Sequence, residues 1–350
     1  MIQKTVQLDD KNNALLIIDQ TALPGELLEL ALTSQQDIWD ALHGLKVRGA
    51  PAIGVAAAIG IYLAALALPD CSYAAFYRSF AAARDFLASA RPTAVNLFWA
   101  LKRMENVVLQ HPQSSLSDIK VLLHDEAIAI LEEDIRACRA IGEFGLSLLA
   151  NDAAILTHCN AGQLAAVEYG TALAPIYLGC ERGYRFKVFV DETRPLLQGA
   201  RLTAYELAEL GVETTLICDN MAADVIARGW VQAVLVGSDR IAANGDTCNK
   251  IGTLSLAIIA RHYGIPFYVL APTSTIDLET AEGIDIPIEQ RPASEITQMW
   301  YKQPMAPAAI SVYNPAFDVV PHDLISAIVT ERGILYEPCT ESIRQYMLQS

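Results

Sequence analysis

The hydrophobic residues of this chain follow two different patterns, and the change between them falls near residue 150. In the first part, apolar residues recur every three or four positions, which is the spacing of helices that pack one face against a core. This spacing predicts helices at about 35–43, 50–68, 72–88, 93–109 and 117–149. Two short apolar segments, 6–8 and 14–20, precede them and predict strands. The first part is therefore predicted to be mainly helical with a small sheet.

From residue 153 onward, short apolar runs alternate with helical stretches, as in repeated strand–helix units. The runs lie at 154–157, 187–190, 215–218, 233–236 and 267–270. Strands that are apolar throughout are typical of a parallel sheet covered by helices on both faces. We therefore predict an α/β fold with two domains. Residues 1–147 form a mainly helical N-terminal domain that carries the small β-sheet, and residues 148–350 form a Rossmann-like parallel-sheet domain.

Polar side chains follow each of the five predicted parallel strands. They stand in the segments His158-Cys159-Asn160, Asp191-Glu192-Thr193-Arg194, Asp219-Asn220, Gly237-Ser238-Asp239-Arg240 and Ala271-Pro272-Thr273. In open α/β sheets the ligand crevice lies outside the carboxyl ends of the strands, so one edge of the sheet is expected to hold the site. The sequence contains neither G-x-G-x-x-G nor a Walker A motif, so dinucleotide and P-loop functions lack their signature.

Two of these strand-end residues are candidates for catalysis. Cys159 precedes a predicted helix near Gln163, and amides at a helix N-terminus favour a thiolate; the alternative is a buried structural cysteine. Asp239 can act as a general acid or base if burial tunes its pKa. The alternative for Asp239 is an ion pair with Arg240 or a helix cap.

Several cations and glycines stand beside predicted helix starts, where exposed amides favour an anion such as phosphate. Arg48 and Gly49 precede one helix, and Arg91 precedes another. Lys250 lies beside a further helix start, although a solvated surface lysine is an equally good interpretation on local grounds. Gln198 is a candidate for binding a sugar hydroxyl.

The composition narrows the function classes. Of 350 residues, 53% are hydrophobic and 19% are charged, which fits a compact enzyme rather than a disordered chain. The net charge of −15 argues against nucleic acid as a partner. The seven cysteines include no CxxC pair, so no zinc site or disulfide framework is indicated, and a reducing cytoplasmic compartment is expected. The N-terminus has no signal-peptide core, and the uncharged run 50–68 is interpreted as a buried helix rather than a membrane span.

Taken together, the motifs resemble those of the methylthioribose-1-phosphate isomerases. The matching stretches run in family order over nearly the whole chain: VRGAPAIG (47–54), RPTAVNLFWAL (91–101), THCNAG (157–162), DETRPLLQGARLTAYEL (191–207), DNMAA (219–223), GSDRIAANGD (237–246), NKIGT (249–253) and VYNPAFDVVPHDLISAIVTERG (312–333). Motifs of this length are far more specific than a lone glycine pattern.

The resemblance implies that 5-methylthio-α-D-ribose 1-phosphate is converted to 5-methylthio-D-ribulose 1-phosphate in methionine salvage. It also implies a homodimer that needs no metal or organic cofactor. Asp239 is then the catalytic acid/base, and Cys159 assists at the carbon centre. The substrate contacts implied by the resemblance are Arg48, Gly49, Ala50, Arg91, Gln198, Asn249 and Lys250.

Related families keep other functions open. The regulatory subunits of the translation-initiation exchange factor resemble this chain but typically lack the pairing of Cys and Asp that is present here. Ribose 1,5-bisphosphate and 5-deoxyribose 1-phosphate are alternative substrates, because a few methylene-sized contacts discriminate only modestly. Gln163, Glu168 and Cys248 depart from the pattern expected of the methylthioribose enzymes.

The substrate class sets a chemical problem, because the phosphate blocks the anomeric oxygen. The bond between C1 and the ring oxygen must break while C1 keeps its phosphate. Asp239 is expected to protonate that oxygen, which requires a pKa raised by an apolar pocket. Cys159 then either shuttles a proton between C2 and C1 or stabilises C1 during a direct hydride shift.

Overall fold

A computed structural model describes residues 4–69, 72–92 and 94–348. Cys71, counted above, Thr93, where the fourth helix is predicted to begin, and residues 1–3 of the N-terminus lie outside the described residues. The elements of the first part are β1 (Val6–Asp9), β2 (Ala14–Ile18), β3 (Glu29–Leu32), α1 (Gln35–His43), α2 (Ala50–Leu66), α3 (Tyr73–Ala88), α4 (Val95–Gln110) and α5 (Leu116–Leu146). The predicted helices and the two predicted strands are confirmed, and β3 extends the small antiparallel sheet in the order β1-β2-β3.

Helix α2 is the centre of the first hydrophobic core. Of its 17 residues, 14 are buried, because other helices surround it on every side. A helix that is apolar all round must be buried in this way. The interpretation of the run 50–68 as a buried helix is confirmed, and no helix in the described ranges is long and apolar enough to cross a membrane.

The second part alternates strands and helices. Its elements are β4 (Ala154–Thr157), α6 (Ala174–Glu181), β5 (Lys187–Asp191), α7 (Ala204–Glu209), β6 (Glu213–Ile217), α8 (Ala222–Ala227), β7 (Ala233–Val236), β8 (Arg240–Ala242), β9 (Thr247–Lys250), α9 (Thr253–Tyr263), β10 (Phe267–Leu270), β11 (Ile276–Asp277), α10 (Ser294–Thr297), β12 (Phe317–Val320), β13 (Ala327–Thr330), β14 (Gly333–Tyr336) and α11 (Thr340–Leu348). The chain thus has the predicted mixed α/β fold of helices and a parallel sheet.

The main sheet has the strand order β14-β13-β10-β7-β4-β5-β6 and is parallel except for the edge strand β14. Its central strands β4 and β7 are buried along their whole length. A smaller sheet, β11-β8-β9-β12, follows the carboxyl end of β7. This second sheet carries Lys250 at the end of β9, and it places that residue over the edge of the main sheet where the predicted site lies.

The helix predicted to begin near Gln163 is absent. A single 3₁₀ turn, Gln163–Ala165, stands there, and the next helix of this segment begins at Ala174. The reason is local: Ala166 is extended, with φ −136° and ψ −165°, and ends the turn, and Tyr169 and Gly170 then adopt positive φ angles, which a helix does not allow. The expected helix-terminal stabilisation of a Cys159 thiolate is therefore wrong.

Candidate active site

All nine sequence-predicted site residues line one cavity at the carboxyl ends of β4 and β7, beneath the N-terminus of α2. They are Arg48, Gly49, Ala50, Arg91, Cys159, Gln198, Asp239, Asn249 and Lys250. Asp191 and Asp219, which also follow strands, are not among the lining residues, so the strand ends contribute unequally. The cavity thus lies at the edge of the sheet where the sequence predicts a site.

Cys159 lies immediately beyond β4 with a positive φ of 62°, which turns its side chain away from the strand direction. Its backbone N–H donates to Thr193 Oγ1 at 2.8 Å, and its carbonyl accepts from Thr203 Oγ1 at 2.6 Å. Burial raises the pKa of the thiol, against the opposing charges of Arg48 and Lys250. The two hydrogen bonds fix the backbone of Cys159, and the raised pKa favours its neutral thiol form.

Asp239 lies in the turn between β7 and β8. Its backbone N–H donates to the carbonyl of Cys248 at 2.9 Å. Burial raises the pKa of its carboxyl group, although Lys250, Arg48 and Arg91 pull the pKa down. The direction agrees with the expected general acid, but the surroundings are cationic as well as buried, not simply apolar.

The alternative of an Asp239–Arg240 ion pair is wrong. Arg240 Nη1 instead lies 3.2 Å from Asp277 Oδ2, on the neighbouring strand β11 of the small sheet. Asp239 does not cap a helix either, because β8 follows it directly. Its carboxylate is thus a member of the cavity wall rather than part of a structural contact.

Two cations enter the cavity from opposite sides. Lys250 is only 9% exposed, with Nζ 4.6 Å from the Phe317 ring centroid, so the alternative of a solvated surface lysine is wrong. Burial lowers the pKa of Lys250, opposed by Cys159 and Asp239. Arg91 reaches in from the start of α4, with Nη2 4.0 Å from Glu289 Oε2. Its buried Nη1 has no hydrogen-bond partner within the described residues and can bind a ligand oxygen.

Arg48 is the third cation, and a neighbouring amide holds it. Its Nη1 donates to Asn160 Oδ1 at 2.6 Å, and its Nη2 donates to the Asn160 carbonyl at 2.8 Å. This paired geometry fixes the plane of the guanidinium. Because Arg48 lies just before α2 and Asn160 just after β4, the contact also joins the two parts of the chain.

The N-terminus of α2 opens onto the same cavity. Gly49 has a φ of +93°, and a Cβ there would lie 2.4 Å from Ala165 Cα. Only glycine allows this close approach of two backbones. The helix has no acidic residue in its first turn, so its positive end is available to an anion.

Gln198 and Asn249 supply neutral polar groups. The buried Gln198 Oε1 has no hydrogen-bond partner in the described ranges, so it can accept from a hydroxyl. Asn249 Nδ2 donates to Thr253 Oγ1 at 3.1 Å, which orients the amide at the end of β9. Both residues suit a polyhydroxylated ligand.

Behind Cys159, a buried hydrogen-bonded group supports the site. His158 Nδ1 lies 2.9 Å from Asp191 Oδ2, and its Nε2 lies 2.9 Å from the Ile251 carbonyl. Burial lowers the pKa of His158, but the hydrogen bond and charge of Asp191 outweigh burial, and the net pKa is raised. Asp219 accepts from the Thr193 and Arg194 amides at 2.7 and 2.8 Å. His158, Asp191 and Asp219 offer ligand atoms within 4.8 Å of one another, and each makes a protein contact, although Asp191 Oδ1 has no hydrogen-bond partner within the described residues.

Sequence reasoning missed several lining residues. Asn160 follows Cys159 in the same motif, in which the sequence predicts Cys159 as the functional residue. Its contact with Arg48, which is 112 positions away in the chain, could not be predicted from the motif. Glu289 and Arg291 come from an irregular segment with no sequence signal. Cys248, set aside as a departure, is buried in the wall and its carbonyl holds Asp239. The departures Gln163 and Glu168 are not lining residues.

The fold and site define an α/β protein whose cavity combines buried cations, a carboxyl group whose pKa is raised and a thiol. The sequence matches the Initiation factor 2 subunit family over residues 46–337, and the chain belongs to that family. A methylthioribose-1-phosphate isomerase from Symbiobacterium thermophilum is 60% identical over 340 residues, which cover 97% of this chain and 95% of that protein.

Other relatives and solved structures carry related names. A 5-deoxyribose 1-phosphate isomerase from Moorella thermoacetica is 54% identical over 331 residues, covering 95% of this chain and 94% of that one. The crystal structure of a 5-methylthioribose 1-phosphate isomerase from Pyrococcus horikoshii has a TM-score of 0.92 at 41% identity, covering 100% of this chain and 97% of that one. The crystal structure of a translation initiation factor eIF-2B, subunit delta, from A. fulgidus has a TM-score of 0.86 at 40% identity, covering 98% of this chain and 100% of that one.

Proposed function

We propose that this chain is an aldose–ketose isomerase that converts 5-methylthio-α-D-ribose 1-phosphate to 5-methylthio-D-ribulose 1-phosphate in methionine salvage. The observation that carries the proposal is the meeting of Cys159 and Asp239 with Arg48, Arg91 and Lys250 in one cavity. The 60% identity to a methylthioribose-1-phosphate isomerase supports the substrate. A regulatory subunit without chemistry would need neither a raised carboxyl pKa nor a buried thiol beside a phosphate site.

We assign phosphate binding to Arg48, Arg91 and Lys250, together with the amides of Gly49 and Ala50 at the start of α2. The cations supply charge, and the helix end supplies oriented N–H donors. Gln198 and Asn249 bind the sugar hydroxyls. With the phosphate held in this way, C1 of the sugar is placed between Cys159 and Asp239.

In the first chemical step, Asp239 donates its proton to the ring oxygen as the bond from C1 to that oxygen breaks. Because its pKa is raised, a fraction of Asp239 stays protonated at pH values at which an ordinary carboxylic acid is ionised. Since the acid form is the active form, kcat should fall as the pH rises through this raised pKa. The ring oxygen becomes the 4-hydroxyl of the open-chain product.

Hydrogen then moves from C2 to C1, and the 2-hydroxyl loses its proton to leave the ketone. The acceptor of that proton is the Asp239 carboxylate in a hydride shift, and the Cys159 thiolate in a proton shuttle. If Cys159 shuttles a proton through an enolate-like intermediate, its thiol first gives its own proton to the Asp239 carboxylate formed in the first step. The resulting thiolate is strongly basic because burial disfavours it. If hydride shifts directly, Cys159 stabilises C1 and never exchanges hydrogen with the carbon. Isomerisation in deuterated water tests the hydride shift, since substantial label at C1 of the product contradicts it.

A second substrate has a specific observation in its favour. Relatives named 5-deoxyribose 1-phosphate isomerase are 54% and 53% identical to this chain. That compound differs from methylthioribose 1-phosphate only in its shorter apolar terminus, so the phosphate and C1 sites serve both.

The decisive experiment is a comparison of kcat/KM on methylthioribose 1-phosphate, 5-deoxyribose 1-phosphate and ribose 1,5-bisphosphate. We expect the first to be the best substrate and the bisphosphate the worst. A preference for either of the other two moves the assignment to that compound. Turnover of none of them refutes the isomerase and restores the regulatory subunit.

We also propose that the chain divides into domains at residues 1–147 and 148–350. In support, α5 ends at Leu146, and one hydrophobic cluster draws almost all its members from before that point. A homodimer and a cytoplasmic location complete the proposal; light scattering on the purified protein measures the first, and fractionation of cells the second.

A further inference from the structure

We propose that Glu206, which does not line the cavity, is a positioning residue that sets the orientation of the Asn160 amide and through it aims the Arg48 guanidinium at the substrate phosphate. The inference rests on the isomerase function proposed above and adds to it a determinant of phosphate affinity. Glu206 lies on α7 and is 1% exposed. Its role follows from a continuous series of hydrogen bonds.

The first link is the amide of Asn160. Its Oδ1 accepts from Arg48 Nη1 at 2.6 Å, while its Nδ2 donates to Glu206 Oε1 and to Thr203 Oγ1, the latter at 3.1 Å. The Thr203 hydroxyl gives its own hydrogen to the Cys159 carbonyl, so toward Asn160 it acts as an acceptor. A flipped amide would set its NH₂ group against the guanidinium, donor against donor. The acceptors at the Nδ2 end therefore keep Oδ1 facing Arg48.

The second link is the carboxylate itself. Glu206 Oε2 accepts from the Gln163 backbone N–H at 2.7 Å and from the Tyr177 hydroxyl at 2.8 Å. Gly162 allows this approach, because a Cβ there would lie 2.2 Å from Glu206 Oε1. Both oxygens thus face donors that are fixed by backbone or by packing. A carboxylate is costly to bury, and burial raises the pKa of Glu206 to about 7. Above that pH its ionised form supplies acceptors at both oxygens, which no amide or apolar side chain can do.

The consequence for catalysis falls on substrate binding. The phosphate keeps its charge and its bonds throughout the isomerisation, so Arg48 interacts with it equally in the ground state and the transition state. Loss of such a uniform interaction raises KM and leaves kcat nearly unchanged. A residue that acted on the chemical step would instead change kcat.

The test is Glu206→Gln, with steady-state kinetics on methylthioribose 1-phosphate. Glutamine keeps the shape but turns one acceptor into a donor, which faces Asn160 Nδ2 or the two donors at Oε2. We expect KM to rise roughly 10- to 100-fold, the effect of disturbing a charge-assisted hydrogen bond, with kcat within about threefold of wild type. Glu206→Asp, whose carboxylate cannot reach Asn160, should show the same split. Glu209→Gln, an exposed change on the same helix, is the matched control and should leave KM unchanged.

A double-mutant cycle tests whether the effect passes through Arg48. Since Arg48→Ala already removes the guanidinium, adding Glu206→Gln to it should raise KM no further, which makes the two changes strongly non-additive. Additive effects, or an unchanged KM in a folded Glu206 variant, overturn the inference. A fall in kcat at constant KM overturns it as well. If wild type itself does not turn the substrate over, it is the isomerase proposal that fails.

Discussion

Gly49 offers a test of how the N-terminus of α2 is brought to the site. In Gly49→Ala the new Cβ would lie 2.4 Å from Ala165 Cα and 2.5 Å from the Ala165 carbonyl oxygen. Both contacts are with backbone, so no side chain can rotate away. The φ of +93° adds a conformational cost of its own. The backbone angle costs about 1–3 kcal/mol and the overpacking about 1–3 kcal/mol, so we expect a loss of roughly 2–6 kcal/mol in the free energy of unfolding.

Gly211 provides the matched control. Its φ is +77°, but a Cβ there meets nothing within 4 Å, so Gly211→Ala carries the backbone cost alone, about 1–2 kcal/mol. The urea concentration at the midpoint of unfolding should therefore be highest for wild type, lower for Gly211→Ala and lowest for Gly49→Ala. Only Gly49→Ala should also lose activity, by about 100-fold in kcat/KM, because the shift moves Arg48 and the helix end. Equal destabilisation by the two variants, or full activity in Gly49→Ala, would refute the reasoning.

Two further predictions concern buried charges. Lys250→Met removes a buried cation, so the melting temperature should stay the same or rise, while KM should rise at least about tenfold. A lower melting temperature with unchanged KM would contradict the assignment of Lys250 to phosphate binding. The pKa of Asp134 is raised by burial from 3.8 to about 7, so the wild type loses stability as the pH rises from 3.8 through about 7. Asp134→Asn removes this loss, and the stability of the variant relative to wild type should improve by roughly 4 kcal/mol between pH 4 and 8 in urea titrations. A difference that does not vary with pH would show that the carboxyl group is not held in its neutral form.

Much of the fold follows from local pattern. The all-round apolar run of α2 and the fully apolar strands β4 and β7 could be predicted because burial on every face leaves a direct trace in composition. The small sheet β11-β8-β9-β12 could not, since its strands are two to four residues long and β9, Thr247–Lys250, is polar yet buried. The prediction of a helix near Gln163 was wrong because apolar composition carries no information about backbone angles such as the positive φ of Tyr169 and Gly170.

The candidate site, like the fold, could be predicted from the sequence only in part. All nine residues that the motifs singled out line the cavity. What the motifs could not give is how those residues are held: Asn160 beneath Arg48, Glu206 beneath Asn160, and the Cys248 carbonyl beneath Asp239. These contacts join positions that are distant in the chain and depend on the folded geometry. The pKa of Cys159 is another case, since the helix predicted to begin near Gln163 suggested a thiolate and burial instead favours the thiol.

The most direct test of the account is the single-turnover rate of methylthioribose 1-phosphate conversion by Asp239→Asn, measured beside wild type with substrate binding as the control. Asparagine keeps the shape of the side chain but has no proton to give to the ring oxygen. We predict that substrate still binds, since the cations and the helix end are untouched, and that the rate constant for isomerisation falls by about 10²–10⁴-fold. A rate constant within about threefold of wild type would contradict the assignment of Asp239 as the acid, because general acid catalysis is worth far more than that.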